Sequence, residues 1–457
     1  MVNFQIPLEN KAPMRETIEH QLPIVLTKVE HVHARELARI GELLDELPQV
    51  ARLVIKDLVG KRSRKTGRRG LSGDQVVRCL VVKLLTGCSY RQLAFHLEDS
   101  ISYRAFCLFG IADRTPSYRT LQGNIKKVRP ETMEKVNALV VAKGIELEVD
   151  DGDKVRIDST VMEANILSPH DSQLLRDCVR VLTKLMGQAS ELVAVRYSDH
   201  SRRAKRRSLE ICNTGKPERR ERLYRELLQV TCWTLGYVPD AIKALERSAA
   251  LFAPTISAQL THFSELTKRV IDQTQRRVLG GEAVPAREKL VSIFEPHTDI
   301  IVKDRRETYY GHKTFLSVGA SGMIFDITVE HGNPADSSRA VHMLERHQEK
   351  MGVIPTQAAF DGGFASKSNL RELKEMGVED VAFAKKVGLK VSDMTRTEAI
   401  YKQLRRFRAG VEGVISFLKR SLGFGRCNWS GFDSFHAYAW SSVFTANLLI
   451  VARSTMT

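Results

Sequence analysis

The chain has 457 residues, of which 43% are hydrophobic and 27% charged, so it is long enough for two or three domains with buried cores. Its 70 Lys+Arg residues against 54 Asp+Glu give a formal charge of +16, which favours an extended polyanion, above all nucleic acid, as the partner. A membrane protein is not expected, because no run approaches the ~20 uninterrupted apolar residues of a spanning helix and the N-terminus lacks a signal-peptide pattern. The seven cysteines form no CxxC pair, which predicts reduced, mostly structural thiols rather than disulfides or a zinc knuckle.

Residues 1–145 are predicted to form an all-helical DNA-binding domain. Apolar residues recur at helical spacing in LSGDQVVRCLVVKLLTGCSYRQLAFHL, with a capping box from Ser72 to Gln75 and a break at Gly87, which indicates two helices joined by a turn. A basic segment directly upstream contains no acid and is predicted to contact DNA phosphates: Lys61, Arg62, Arg64, Lys65, Arg68 and Arg69. A mobile basic linker next to two packed helices is the alternative.

Residues 150–168 change character, because apolar and polar residues alternate around Asp158 as they do in a strand. Helical periodicity returns over residues 169–298, which predicts a large helical insertion. From about residue 305 to the C-terminus, the pattern predicts a hairpin of Lys313–Val318 and Met323–Val329. A helix capped by Asp336, a strand ending at Asp361, a helix, a further strand and a last long helix follow.

With the insertion set aside, the predicted order is three strands, a helix, a strand, a helix, a strand and a helix. This is the order of an RNase H-like α/β domain, formed here by residues 150–168 and 299–457 around the insertion. In such a domain, acids on the first strand, the fourth strand and the last helix meet at one sheet edge. Asp158, Asp361 and Glu412 occupy these three places, so a metal site built from three carboxylates is expected.

Within FRAGVEGVISFLKR, Arg408, Glu412 and Lys419 are spaced to share one face of a helix. The alternative is a solvated ladder of salt bridges. Arg405 adds to the basic character of this helix, which suits a DNA strand lying against it. His312 and Lys313 of YGHK are candidates for positions near the site, although a structural sheet histidine is as probable, and Asn369 and Trp429 are better explained as a surface polar residue and a packed aromatic.

The chain resembles the DDE transposases of bacterial insertion sequences, in particular the ISNCY-type elements. The similarity rests on RIDST around Asp158, FDGGF around Asp361, and Arg408, Glu412 and Lys419 in the family pattern R-(3)-E-(6)-K. YGHK and GNPAD are also similar to segments of these proteins. The family pattern has a Tyr three residues before the Arg, where this chain has Arg405. The resemblance implies a transposase that cuts the ends of an insertion sequence and joins the 3′ hydroxyls to target DNA.

Phosphodiester cleavage explains why carboxylates are needed here. Two divalent cations about 4 Å apart activate the attacking oxygen and stabilise the leaving oxygen, and Mg²⁺, for which Mn²⁺ can substitute, prefers oxygen ligands. We expect Asp158 to be shared by both ions, Asp361 and Glu412 to complete one site each, and Lys419 and Arg408 to contact phosphate. A homodimer or larger assembly on double-stranded DNA follows from the need to handle two ends, and the absence of a signal-peptide pattern predicts the bacterial cytoplasm, at the nucleoid, as its location. An RNase H-like nuclease that does not join strands and an inactive DNA-binding regulator are the alternatives.

Overall fold

The computed structural model describes residues 31–61, 70–110, 112–303, 307–385 and 387–456. Helices dominate the region before the first strand, as predicted. They are α1 (Val32–Glu46), α2 (Pro48–Val59), α3 (Gly73–Thr86), α4 (Tyr90–Asp99), α5 (Ile101–Phe106), α6 (Tyr118–Ile125) and α7 (Pro130–Glu146). The capping box of α3 is confirmed, because the Gln75 backbone N–H donates to Ser72 Oγ and the Ser72 N–H donates to the Gln75 side chain, both at 3.1 Å. Gly87 ends this helix with a positive φ of 63°, a conformation that favours glycine.

Six strands form one mixed sheet with an RNase H-like arrangement. They are β1 (Lys154–Glu163), β2 (Asp299–Lys303), β3 (Glu307–Val318), β4 (Ile324–Val329), β5 (Gln357–Phe360) and β6 (Asp380–Phe383). β3 pairs antiparallel with β1, and β1, β5 and β6 are parallel to one another. β2 and β4 lie one after the other along the outer edge of β3, since β2 pairs with its first half and β4 with its second half. The five predicted strands are confirmed.

Strand β2 was not predicted, because the strands after the insertion were expected only from about residue 305. Its five residues, DIIVK, are too few for a clear alternation, and the strand is defined by its pairing with β3 rather than by its own pattern. β2 is also where the chain enters the sheet after the insertion.

The segment between β1 and β2 is helical, as expected, and has two hydrophobic cores of its own. It contains α8 (Asp171–Ser190), α9 (Ser201–Asn213), α10 (Pro217–Gly236), α11 (Val238–Glu246) and α12 (Ala253–Thr274). Helices α8, α10 and α12 pack against one another. These helices therefore have apolar faces that they satisfy mainly among themselves.

The remaining helices are α13 (Ala340–Met351), α14 (Lys367–Glu375), α15 (Val391–Met394), α16 (Glu398–Ser421) and α17 (Phe432–Thr455). Two sequence predictions are wrong here. Asp336 does not cap α13, which begins after Arg339, because a short 3-10 turn over Asp336–Ser338 intervenes. The helix with Glu412, α16, is followed by another long helix, α17.

Helix α17 is long and apolar enough to cross a membrane by length and composition alone. However, 89% of its most apolar 18-residue stretch is buried inside the protein. It packs against α1, α3, α7 and β4. At its centre, buried Asn447 donates to Asn137 Oδ1 of α7 at 2.8 Å and bonds the backbone of Ile324 in β4 through both N–H and C=O. α17 is thus the core helix that joins the N-terminal helices to the sheet in one continuous hydrophobic core.

All seven cysteines are free; Cys212 and Cys232 are exposed and the other five are buried. The prediction of reduced, mostly structural thiols is therefore consistent with the fold.

Candidate active site

Asp158 and Asp361 lie side by side because of the register of two parallel strands. Ile157 of β1 is paired with Phe360 of β5, so the residues that follow each of them, Asp158 and Asp361, emerge at neighbouring positions. Asp158 is only 8% exposed, whereas the Asp361 side chain is 40% exposed. One carboxylate is therefore buried in the sheet and the other faces solvent.

Helix α16 crosses these strands and brings the third acid to them. Arg156 of β1 is buried, donates from Nη1 to the Phe407 carbonyl at 3.0 Å and stacks on the Phe407 ring at 4.7 Å. A Cβ atom at Gly410 would lie 2.2 Å from Arg156 Nη1, so a larger residue here would have to displace this buried, hydrogen-bonded guanidinium. This contact fixes the height of α16 above β1, and with it the positions of Arg408 and Glu412.

A single guanidinium bonds all three predicted carboxylates. Arg408 Nη2 lies 2.9 Å from Asp158 Oδ2 and 3.0 Å from Asp361 Oδ1, and Arg408 Nη1 lies 3.2 Å from Glu412 Oε1. The structure thus brings together Asp158, Asp361, and the helix pair Arg408 and Glu412, which come from three segments far apart in the sequence. The salt-bridge ladder between Arg408 and Glu412 is also present, but it is one part of a cluster that reaches into the sheet.

The cluster has an excess of negative charge. Three carboxylates and one guanidinium leave two negative charges when all groups are ionised (−3 + 1 = −2). Burial raises the pKa of Asp158, while Arg408 and the Ser159 backbone N–H, 2.7 Å from Asp158 Oδ1, oppose this rise. Because the donor set consists of carboxylate oxygens with uncompensated charge, it fits a hard divalent cation such as Mg²⁺.

The other cations predicted to contact phosphate, Lys419 and Arg405, also lie on α16. Lys419 is half-buried in α16, and burial followed by the charge of Lys303 lowers its pKa. Lys303, at the end of β2, also acts electrostatically on Asp158. Lys303 therefore acts on both Lys419 and Asp158, while Glu163 partly offsets its effect on Lys419. Arg405 is exposed on α16 and is not among the residues bonded to the three acids.

The basic segment before α3 can be placed only at its first residue. Lys61 is exposed just after α2, whereas Arg62, Arg64, Lys65, Arg68 and Arg69 lie outside the described residues. Of the helix pair that follows, α3 is buried along most of its length. The second helix of the pair, α4, and the neighbouring α6 do offer exposed side chains, among them Arg91, which stacks on Tyr118 at 5.1 Å.

Lys313, Asp336 and Asn369 hold the loops near the acids in place, a role that their sequence context did not indicate. Lys313 lies 2.7 Å from Asp336 Oδ1, and the same oxygen accepts from Ser159 Oγ at 3.1 Å, so the GNPAD loop is anchored beside Asp158. Asn369 is buried, not a surface residue, and donates to the carbonyls of Ser337 and Phe364 at 2.7 and 2.8 Å. It ties the loop after Asp361 to the GNPAD loop.

Two other candidates have structural environments. Trp429 is 2% exposed and packs edge-on against Tyr438, which confirms the packing interpretation. His312 is fully buried and contacts His297, Asp299 and the Glu330 carbonyl rather than the three acids. Sequence reasoning missed Arg156 and Gly410, and the only available signal was a glycine within an otherwise regular helix pattern.

Comparison with known proteins supports this interpretation of the site. Residues 270–448 match the family model described as Transposase DDE domain, a range that includes Asp361, Arg408, Glu412 and Lys419 but not Asp158. Residues 27–127 match a second model, described as Transposase domain (DUF772), which covers α1 to α6. No curated protein and no solved structure matches the chain.

Proposed function

Because the chain is a DDE transposase, an enzyme that cuts and transfers DNA strands, we propose that Asp158, Asp361 and Glu412 hold its catalytic metal ions. The observation that carries this proposal is the convergence of the three carboxylates on one guanidinium, at 2.9 to 3.2 Å. Asp158 enters through this geometry alone, because it lies outside the matched range of the DDE domain. The metal is proposed to be Mg²⁺, with Mn²⁺ as a substitute.

Asp158 is the central ligand, since it is the most buried of the three acids and its Oδ1 accepts a hydrogen bond from the Ser159 N–H. Asp361 and Glu412 each complete one ion site. When bound, the cations would activate the attacking oxygen and stabilise the leaving oxygen of a phosphodiester. Arg408 competes for the same carboxylate oxygens, and once it is released from them its planar guanidinium suits a phosphate of the DNA.

The reaction proposed for this site has two steps of the same kind. In the first, water forms a bond to phosphorus at the element end while the bond from phosphorus to the 3′ oxygen breaks, which leaves a 3′ hydroxyl and a 5′ phosphate. In the second, this 3′ hydroxyl attacks a phosphodiester of the target DNA and a new 3′ oxygen leaves. The side chains supply positioning and charge in both steps, and no covalent bond to the protein is formed.

DNA is proposed to pass over Lys303, Arg408 and Lys419 on the catalytic face, with Arg405 on the same helix. The N-terminal helices are proposed to hold the DNA through the basic segment that starts at Lys61 and through α4. In the insertion, α9 and α10 line a groove. Its basic side chains are further candidates for phosphate contacts: Arg202, Lys205, Arg206, Lys216 and Arg219. The charge of +16 is consistent with such an extended contact.

Two ends must be handled together for transposition, so the active form is proposed to be a homodimer or larger assembly on DNA, in the bacterial cytoplasm at the nucleoid. Assignment to the ISNCY-type elements also stays a proposal. Size-exclusion chromatography with light scattering of the protein on end DNA tests the assembly. Two protein chains per complex would support it, and complexes with a single chain that still join two ends would contradict it.

A strand-transfer assay tests the proposed function. Labelled DNA taken from the two ends of the element that encodes the protein is incubated with target plasmid and Mg²⁺, and joined products are separated from cleaved products. Asp158→Asn, Asp361→Asn and Glu412→Gln should each reduce joining at least about 1000-fold while DNA binding is retained. Glu398→Gln is the matched control, because Glu398 is an exposed acid at the start of the same helix.

The outcomes separate the alternatives. Cleavage without joined products by the wild type would indicate a nuclease. Unchanged activity in all three variants would show that these acids do not form the metal site.

A further inference from the structure

Five histidine and acidic side chains at the outer edge of the sheet form a second cluster that the transposase chemistry does not use. Among the described residues, Asp299, His312 and His331 offer ligand atoms that all lie within 4.8 Å of one another. Asp299 begins β2, His312 lies within β3 and His331 follows β4, so the cluster joins three strands. His312 pairs with Met162, four residues beyond Asp158 in β1, which separates it from the catalytic acids by about 13 Å along the strand.

A chain of short contacts runs through this cluster. Glu295 Oε2 lies 2.8 Å from His297 Nε2, His297 Nδ1 lies 2.8 Å from His312 Nε2, and His312 Nδ1 lies 3.0 Å from Asp299 Oδ2. The Glu330 carbonyl oxygen also lies 3.0 Å from His312 Nδ1. Both ends of the chain are therefore oxygen acceptors, and the links between them are imidazole nitrogens.

Counting hydrogens shows that neutral side chains cannot complete this chain. Each of the three contacts needs one hydrogen between its two atoms, and two neutral imidazoles carry only two ring N–H groups. If His297 donates to Glu295 and His312 donates to His297, then His312 Nδ1 is a bare lone pair that faces two oxygen acceptors. With these tautomers, a third proton or a cation must lie at the Asp299 end of the chain of contacts; with the opposite tautomers, the third proton lies between His297 and Glu295.

We propose that the cation is a metal ion of the Zn²⁺ type, bound by Asp299 Oδ2, His312 Nδ1 and His331. Imidazole together with carboxylate is a donor set that suits Zn²⁺ and similar ions rather than Mg²⁺. His297 and Glu295 then form an outer shell around the ion. His312 Nε2–H donates to His297, and His297 donates to Glu295, which fixes the tautomer of the metal ligand His312. Asp299 Oδ2 is itself oriented by the Gly332 N–H at 2.6 Å.

The cluster is enclosed on one side and open on the other. The Phe432 ring of α17 stacks on the His331 ring with a centroid distance of 3.9 Å, and Phe435 packs edge-on against His312. The His312 side chain is fully buried, whereas that of His331 is 63% exposed. An ion could therefore enter from solvent at His331 and keep a water molecule as a further ligand.

The position of the site indicates what the ion does. Glu295, His297 and Asp299 lie where the chain leaves the insertion and enters the sheet, and the ion would fix this segment to β3, to the end of β4 and to the start of α17. We assign it a structural role: it holds the exit of the insertion against the catalytic sheet.

Titration of the full-length protein with Co²⁺, in the presence of excess Mg²⁺ to fill oxygen-only sites, tests this inference. The wild type should bind one Co²⁺ per chain with the visible absorption of a nitrogen-ligated ion, and Zn²⁺ should displace it. His331→Ala should weaken the binding at least about 10-fold, and because the side chain is largely exposed, folding is not at risk. Asp299→Asn should weaken it to a similar degree, while His262→Ala, an exposed histidine of the insertion, should leave it unchanged.

Thermal unfolding gives a second readout. Zn²⁺ should raise the Tm of the wild type and of the Glu412→Gln variant but not that of His331→Ala, because only a site formed by the folded state contributes to stability. Absence of stoichiometric Co²⁺ binding by the wild type would overturn the inference and would leave a shared third proton as the closure of the histidine chain. Binding that is unchanged in both His331→Ala and Asp299→Asn would also overturn it.

Discussion

The contact between Arg408 and Asp158 should be one of the strongest pairwise interactions at the catalytic face, and a double-mutant cycle can measure it. The two side chains are 17% and 11% exposed and lie 2.9 Å apart. Arg408→Met removes the charge but keeps most of the apolar stem, and Asp158→Asn removes the charge of its partner. We expect Arg408→Met to destabilise the fold, because it leaves the buried Asp158 carboxylate without its partner, and to destabilise it less when Asp158 is already replaced by Asn.

The magnitude of the coupling energy between Arg408 and Asp158 follows from their geometry. Charges about 4 Å apart at an effective dielectric constant of about 20 interact by about 4 kcal/mol. Water that replaces the lost partner recovers part of this, so we expect a coupling energy of about 2 kcal/mol, within the usual range for residues in contact. Asp361 and Glu412, whose side chains are 40% and 68% exposed, should couple more weakly to Arg408 because solvent screens them.

Urea unfolding followed by tryptophan fluorescence is a suitable assay. Trp429 and Trp440 belong to the continuous core, whereas Trp233 lies in the insertion, so the cycle is made in a Trp233→Phe background in which fluorescence reports on the core. Glu398→Gln, on the same helix, replaces Asp158→Asn in a control cycle and should be additive with Arg408→Met.

The pH dependence of the coupling has a definite sign. Burial raises the pKa of Asp158 in the folded state, so ionisation of this group costs stability as the pH rises through that pKa, and Arg408 offsets the cost. Arg408→Met should therefore lower the free energy of unfolding most at neutral pH, and this effect should decrease as Asp158 becomes protonated at acid pH. A coupling energy below about 0.5 kcal/mol at pH 7 would refute the reasoning.

Three further predictions concern the helix α16 and the sheet. Gly410→Ala should destabilise the core by about 1–3 kcal/mol because its Cβ would lie 2.2 Å from Arg156 Nη1. Gly413→Ala, with no atom within 4 Å of its Cβ, should be neutral or stabilise by up to about 1 kcal/mol; equal effects in urea unfolding would contradict the packing argument. Lys419→Met should reduce the salt dependence of end-DNA binding by about one unit of slope, whereas Lys419→Arg should keep it; an unchanged slope in the methionine variant would exclude a phosphate contact. Burial would raise the pKa of Asp380, but hydrogen bonds from its arginine partner outweigh this and lower it. Asp380→Asn should therefore lower the free energy of unfolding by an amount that is constant above about pH 5 and decreases only as the pH falls below the ordinary aspartate pKa of about 4. A destabilisation that grows at acid pH would be inconsistent with this.

The sequence predicted the sheet well because its long strands carry their own pattern. β1 alternates around Asp158, and β3 and β4 flank a glycine-containing turn, so periodicity and turn chemistry agree. β2 has five residues and takes its conformation from its pairing with β3, so its own pattern is not informative. Similarly, α17 is nearly apolar all round, a pattern that indicates burial but not what it packs against.

The convergence of the acids could be predicted from element order, but their ion pairs could not. Arg408 was expected to share a helix face with Glu412, and the structure shows in addition that the same guanidinium reaches Asp158 and Asp361 on two strands. Contacts of this kind depend on how far α16 lies above β1, which Gly410 and Arg156 determine through a single close approach. The assignment of Asp158, Asp361 and Glu412 as metal ligands stays a prediction.

The histidine cluster illustrates the same limit. YGHK pointed to His312 as a residue near the catalytic site, but the side chain bonds His297, which is 15 residues earlier, and Asp299 in the unpredicted strand β2. Without β2, the sequence offered no reason to place these residues together.

Metal rescue at Asp361 tests the central claim most directly. Asp361 is half exposed and lies just after β5, so Asp361→Cys can be introduced with little effect on the core, and its thiolate binds Mn²⁺ far better than it binds Mg²⁺. Strand transfer by this variant should be lost in Mg²⁺ and recovered in part in Mn²⁺, whereas Asp361→Ala should be inactive in both. Equal activity of Asp361→Cys in the two metals, or recovery of Asp361→Ala to the same level in Mn²⁺, would show that Asp361 is not a ligand of the catalytic ion.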